Sequence, residues 1–517
     1  MQVSRLLTLL RRAAFTGPIL STGSGPPADQ SEMIPQAQVT LRNLSLLGAQ
    51  RGVHILNALL FAAIVPRLMG PELYGQYALL ISLAIWLMLF SGLGFTEIIG
   101  RHLPPLNLPG KEENLRKFIS NLLTLRLITA VLAAGAYLLL TFLWLVDLDR
   151  WVLVIMAGIV AVRTVANLTF TYFLGLNQAA RWGMDETLRR WLVLALLIPG
   201  FYLGSLRGAC LGVLLAETTV LAVGLSWVRH HLSWGALWPD FQQMRGYLGF
   251  GLIFFAVNMI HSAFNQSGEL LVRAISGDYV QVSYFGLANN VHATIAFIIP
   301  QFALAIAPLL SSLMIQGETE AIRGWMEALL KWLAVGGVLI ILGVLFLGEN
   351  LVPLVLGAAY RPVALNLLPL MLGLLTQALG SVGSLLALTF NRPAEALAAA
   401  GVKLAAFWSL GPILIAWWGS LGGCIAVLAA STLYAGYFTW RMRRVLCFSL
   451  RGYTWALGLG GLFLPLFWLR SSLAVNLGLF VAAVAAYLGL LFLLQVITPG
   501  DIAAGWRIIS HKSEVWK

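Results

Sequence analysis

Runs of about twenty apolar residues follow one another along almost the whole chain, each cut off by proline, glycine or charge, as in "PRLMGPELYG" and "LGLNQAARWGMDETLRR". That is the length a helix needs to cross the hydrocarbon of a bilayer. Repeated so often, the pattern leaves little choice of solvent. A typical soluble domain carries about 25% charged residues, whereas here 10% are charged, 59% are hydrophobic and the mean hydropathy is +0.85. A water-soluble fold of 517 residues has no core large enough to hide that apolar surface. Inside lipid every backbone polar group must be satisfied within the protein, so spanning elements are helices or closed barrels. Runs of this length read as helices, and the chain is expected to be an all-α membrane protein.

A hydropathy window finds about fourteen candidate spans, beginning near residues 44, 74, 118, 150, 186, 208, 248, 279, 323, 363, 394, 421, 453 and 473. They group into an N-terminal lobe of six over 41–230 and a C-terminal lobe of six over 248–446, joined by a cytoplasmic connection at 231–247. Two extra helices fill 447–498, and a cytoplasmic tail occupies 499–517. Residues 1–40 are expected as a disordered cytoplasmic tail, or as an over-extended start upstream of Met33, in preference to a cleaved signal peptide. No connection is long enough to be a soluble domain.

The net charge of +12 reports topology. With the N-terminus inside, 22 of the 33 Lys and Arg fall on the inner side, 6 on the outer side and 5 within spans. Cationic loops stay cytoplasmic, so both termini are expected there, in the inner membrane. No basic domain exists to bind nucleic acid. Cys210, Cys424 and Cys447 sit in or beside apolar runs without metal-ligand spacing, and read as small buried hydrophobes.

An internal repeat underlies the lobes. At an offset of 207 residues, "RLMGPELYGQYALL" lies over "AISGDYVQVSYFGL", pairing Gly70 with Gly277, Tyr77 with Tyr284 and His54 with His261. Six spans per copy is an even number, so both copies run in the same orientation, related by an axis along the membrane normal with a shared interface at midplane.

The stretch "PRLMGPELYGQYALLISLAIWLMLFSGLGFTEIIGRHLP" is similar to the first hairpin of the polysaccharide-biosynthesis flippases, within the multidrug/oligosaccharidyl-lipid/polysaccharide exporter superfamily. Arg67, Leu68, Gly70, Pro71, Glu72, Tyr74, Gly75 and Tyr77 carry the resemblance, with Gly92, Leu93 and Gly94 closing the second span. These are turn and packing residues, and identify a family without identifying a cargo. Where the seventh span of that family often ends in Asp-Arg, this chain has Gly268 and Glu269. The resemblance implies two six-helix lobes that rock around a central cavity to carry polyprenyl-pyrophosphate-linked sugar units outward, with polysaccharide polymerase or chain-length proteins as possible partners.

The residues suggest where such a cargo would bind. "NMIHSAFNQSGELLVRAISG" places His261, Asn265, Glu269 and Arg273 on one helical stripe, with Asn258 beside it. An uncompensated charge at mid-bilayer costs about 2.5–3.5 kcal/mol, so the stripe is expected to face water in a cavity. Its rival is hydrogen bonding between helices, at about 0.6–2 kcal/mol per contact. Arg51, His54 and Asn57 of the first span and Asn289, Asn290 and His292 of the eighth would complete the lining. Five cations lie within spans, and of these Arg51, Arg163 and Lys403 are the candidates for phosphate, Arg126 and Lys331 being shallow enough to snorkel. Glu217 and Glu269 are the candidates for coupling to an ion, H+ or Na+, and no other cofactor is expected.

Enzyme signatures such as a P-loop, a zinc motif or a nucleophile elbow are missing from the sequence. The expectation is therefore a transporter. A drug exporter of the same superfamily and a membrane glycan polymerase or ligase stay open beside it; the first would normally show twelve spans, and the second a large outer loop.

Overall fold

The computed structural model describes residues 30–107, 110–176, 178–231, 241–498 and 500. The expected tails at 1–29 and 501–517 and most of the 231–247 connection lie outside the described residues, as do the side chains of Arg51, Asn258 and His261. Thirteen α-helices appear among them and no strand: α1 (Gln30–Phe90), α2 (Phe95–His102), α3 (Glu112–Trp144), α4 (Arg150–Gly175), α5 (Ala179–Val228), α6 (Phe241–Ser276), α7 (Tyr279–Ala296), α8 (Ile298–Ile315), α9 (Thr319–Leu356), α10 (Arg361–Thr389), α11 (Pro393–Arg443), α12 (Arg451–Gly461) and α13 (Leu473–Leu493). Within the stretch expected as a tail, α1 already begins at Gln30.

Among the described residues, ten helical stretches are long and apolar enough to cross a membrane. Their apolar residues are widely exposed, Leu203 at 89% and Trp468 at 85% of full accessibility, as suits a lipid solvent. The all-α membrane class read from hydropathy is the class observed.

Three of the longest helices are interrupted, each where the sequence placed a turn between spans. Gly70 breaks α1 at φ 75°, ψ 168°, a backbone state that glycine alone enters freely, with Pro71 next in line. Gly204 and Ser205 break α5, and Gly419 breaks α11. These breaks support the repeat. Gly277, the partner of Gly70, also has a positive φ of 68°, between α6 and α7. Ser205 at φ 51°, ψ −137° matches Gly419 at φ 55°, ψ −131°, a correspondence the hairpin alignment did not include.

Contacts divide the chain into two compact units whose boundary in sequence falls between Gly286 and Leu287, inside α7. The first unit thus holds α6 as well as α1–α5. A close backbone approach accompanies this: a Cβ on Gly94 would lie 2.6 Å from the Gly251 Cα of α6. At one end of this unit Arg273 pairs with Asp147 at 2.9 Å and stacks on the Tyr279 ring, while Arg207 grips Asp149 and holds its carboxyl below the ordinary value. In the second unit, α12 and α13 pack against α9. The Tyr453 hydroxyl donates to the Leu375 carbonyl at 2.9 Å and the Tyr487 hydroxyl to the Ala456 carbonyl at 3.2 Å.

Candidate functional site

The start of α5, "MDETLRRW", reads locally as a charged helix: Asp185 and Arg189, and Glu186 and Arg190, are four residues apart and therefore neighbours on its surface. Both pairs form, Asp185–Arg189 and Glu186–Arg190 each at 2.6 Å. Their surroundings are not those of a surface helix. The Arg189 side chain is only 5% exposed, and it reaches Glu217 on the second half of α5 at 3.0 Å and Glu186 at 3.4 Å. The break at Gly204–Ser205 makes this possible by folding α5 back on itself.

Glu217 is wholly buried. Its second oxygen faces Arg163 of α4, whose Nε stands 3.7 Å away. Three arginines (163, 189, 190) and three carboxylates (185, 186, 217) thus form one network. Equal numbers of each sign keep it neutral, the condition under which buried charge is tolerated. The first span joins from the side: His54 Nε2 is 2.9 Å from the Thr187 hydroxyl, and Asn57 donates to the Arg190 carbonyl at 3.2 Å.

The arginines differ in how fully they are engaged. Arg126 spends its donors on backbone carbonyls, Nε to Thr164 at 2.8 Å and Nη1 to Ser91 at 2.6 Å, and lies over the Phe95 ring. Arg189 has three carboxylates. Arg163 has one ion pair, beyond hydrogen-bonding distance, and makes no hydrogen bond among the described residues. Its side chain is 27% exposed. Its charge also acts on Asp185 and Glu186, but with five donors and no hydrogen bond among the described residues it is the least engaged guanidinium of this network.

Glu269 lies elsewhere, buried between α6 and the second half of α1. The Ser82 hydroxyl is 3.4 Å from its Oε2 and 3.0 Å from the Gln266 carbonyl, so one proton serves two acceptors. The other residues expected to line the cavity are scattered. Asn265, one turn from Glu269, is exposed, so the polar stripe does not share a single environment. His54 and Asn57 hydrogen-bond to α5, at the Thr187 hydroxyl and the Arg190 carbonyl. In the second unit Asn289 is half-buried and Asn290 exposed. Lys403 holds its ammonium 5.4 Å from the Tyr434 ring centroid. His292 is buried against Gly373, its Nε2 without a hydrogen-bond partner among the described residues.

Asp185, Glu186, Arg189 and Arg190 were absent from the sequence-derived candidates, since their density of charge reads as a cytoplasmic loop. The signal was present in the double four-residue spacing. No sequence pattern announces that Glu217 folds back onto it. Among the described residues no group of His, Cys, Asp and Glu is arranged to hold a metal ion.

Comparison with known proteins places this geometry. None of the curated proteins matches. Among solved structures, the lipid II flippase MurJ in an inward closed conformation superposes with a TM-score of 0.66 at 13% identity, over 88% of this chain and 100% of that one. An inward-facing multidrug resistance MATE family transporter of the MOP superfamily gives 0.59 at 15% identity, over 76% of this chain and 94% of the other. Its outward-facing counterpart gives 0.51 at 14% identity, over 77% and 94%. At these identities the likeness is one of fold, the fold of MOP-superfamily transporters. The polysaccharide biosynthesis protein family matches directly in sequence over residues 40–314, more than half the chain, so this integral membrane protein belongs to that family.

Proposed function

We propose that the chain is a flippase for polyprenyl-pyrophosphate-linked oligosaccharide, moving the sugar unit across the inner membrane by alternating access for surface polysaccharide assembly. The observation that carries this reading is Arg163: a partly exposed guanidinium inside an apolar helix, at the edge of a charge network in which it makes one ion pair beyond hydrogen-bonding distance. Pyrophosphate next to the sugar is the anionic feature of such a cargo, and Arg binds phosphate oxygens in bidentate fashion. Lys403 is assigned the same task in the second unit. The polyprenyl tail needs no pocket, since lipid solvates it. Both termini lie in the cytoplasm, by the 22 to 6 distribution of cationic residues.

Transport against a gradient needs a coupling ion, and Glu269 is the group we assign to a proton. Among the described residues no cation pairs with this buried carboxylate, which shares the Ser82 hydroxyl with the Gln266 carbonyl. Membrane proteins that polymerise the sugar units or set chain length are the expected partners. Depletion of the chain in cells that make a surface polysaccharide tests the function. Lipid-linked repeat units should accumulate in the inner leaflet while surface polysaccharide is lost, and unchanged polysaccharide with no accumulation would contradict the proposal.

A further inference from the structure

The proposed cargo must compete for Arg163 with a partner already in place. Glu217 is that partner, and the geometry around it is unequal: Arg189 Nε donates to one oxygen at 3.0 Å, while the other oxygen has no hydrogen bond among the described residues and meets Arg163 at 3.7 Å. Glu217 therefore needs only one of its two arginines. If Arg163 leaves, Glu217 keeps a hydrogen-bonded charge partner, and Arg189 keeps Asp185 at 2.6 Å and Glu186 at 3.4 Å besides. Glu217 itself is not left unpaired, and the one net negative charge then left among Arg189, Arg190 and the three carboxylates draws Arg163 back.

We propose that Arg163 is an exchangeable anion-binding arm: Glu217 is its resting counter-ion, a pyrophosphate group displaces that carboxylate, and Arg189 holds Glu217 while Arg163 is engaged. Glu217 then sets the affinity of the site from the inside. It acts as a built-in competitor that returns Arg163 when the ligand departs, so that the site binds without trapping. This rests on the proposed function for its ligand, and adds a role for Glu217 distinct from ion coupling. A network built for stability alone would give Arg163 a hydrogen bond, as it does for Arg126 and Arg189.

The experiment is a binding titration with the full-length chain in phosphatidylcholine nanodiscs, using farnesyl pyrophosphate and, separately, inorganic pyrophosphate. Glu217→Gln removes the competing charge at constant shape, and is expected to tighten farnesyl pyrophosphate binding about fivefold. Arg163→Ala is expected to weaken it by about tenfold or more, and the double variant should bind as weakly as Arg163→Ala alone. If Glu217→Gln does not fold, Glu217→Asp, which draws the carboxylate back by one methylene, should shift affinity in the same direction by less. Binding by the wild type with no gain in the Glu217 variant, or a gain that survives loss of Arg163, overturns the exchange and leaves the flippase reading standing. No binding of either probe to the wild type overturns both. Inorganic pyrophosphate binding as tightly as the farnesyl form, with the same Glu217 effect, supports the exchange and removes the lipid-linked ligand.

Discussion

The two units place charge in apolar helices in opposite ways. In the first, six ionised groups on α4 and α5 are matched three against three, and one loosely held member, Arg163, stands at the edge. In the second, Lys403 rests against an aromatic face and His292 is buried, its Nε2 without a hydrogen-bond partner among the described residues. Both units contain a long helix broken in nearly the same backbone state, at Ser205 in the first and Gly419 in the second. Saturated charge builds the scaffold. Under the proposed function, the loosely held Arg163 is where an anionic cargo finds its contacts.

Substituting one residue in each unit breaks this comparison most sharply. Arg189→Leu leaves three carboxylates facing one another, and should cost about 3–5 kcal/mol. In detergent this appears as loss of the monodisperse, folded fraction or a large fall in unfolding temperature. Lys403→Leu replaces a half-buried cation with an apolar group, and should change stability by about 1 kcal/mol or less while lowering transport. Equal destabilisation by the two would show that the halves use charge alike. Glu269→Gln has the smallest effect on stability, within about 0.5 kcal/mol, because the amide keeps the shape and still accepts from Ser82. Its effect falls on coupling: uptake of a lipid-linked sugar should become insensitive to an imposed pH gradient, and a retained gradient dependence would remove Glu269 from the role.

Much of the fold was legible because membrane solvation acts on every residue of a span. Hydropathy alone gives the helical class, and the turn chemistry of "RLMGPELYG" gives both the family and the positive-φ break at Gly70. The site was less legible. Glu217, Arg163, His54 and Asn57 were marked by sequence as polar residues within spans, and they do converge, but on a segment assigned to a loop. The charges of "MDETLRRW" look soluble in one dimension and become buried only when α5 folds back at Ser205 and brings Glu217 to Arg189. Within the stripe, Asn265 is exposed and Glu269 buried although they are four residues apart. Helical spacing fixes which side chains are neighbours, but the packing of α1 against α6 decides which of them are covered.

The most direct measurement is flipping in proteoliposomes that contain a fluorescent polyprenyl-pyrophosphate-linked oligosaccharide, comparing wild type with Arg163→Ala at equal protein content. The wild type should bring outer-leaflet label to a periplasmic-type lectin or quencher far faster than empty liposomes, and Arg163→Ala, folded and inserted, should be slower by about tenfold or more. Equal rates for the wild type and empty liposomes, or for the wild type and Arg163→Ala, would contradict the account.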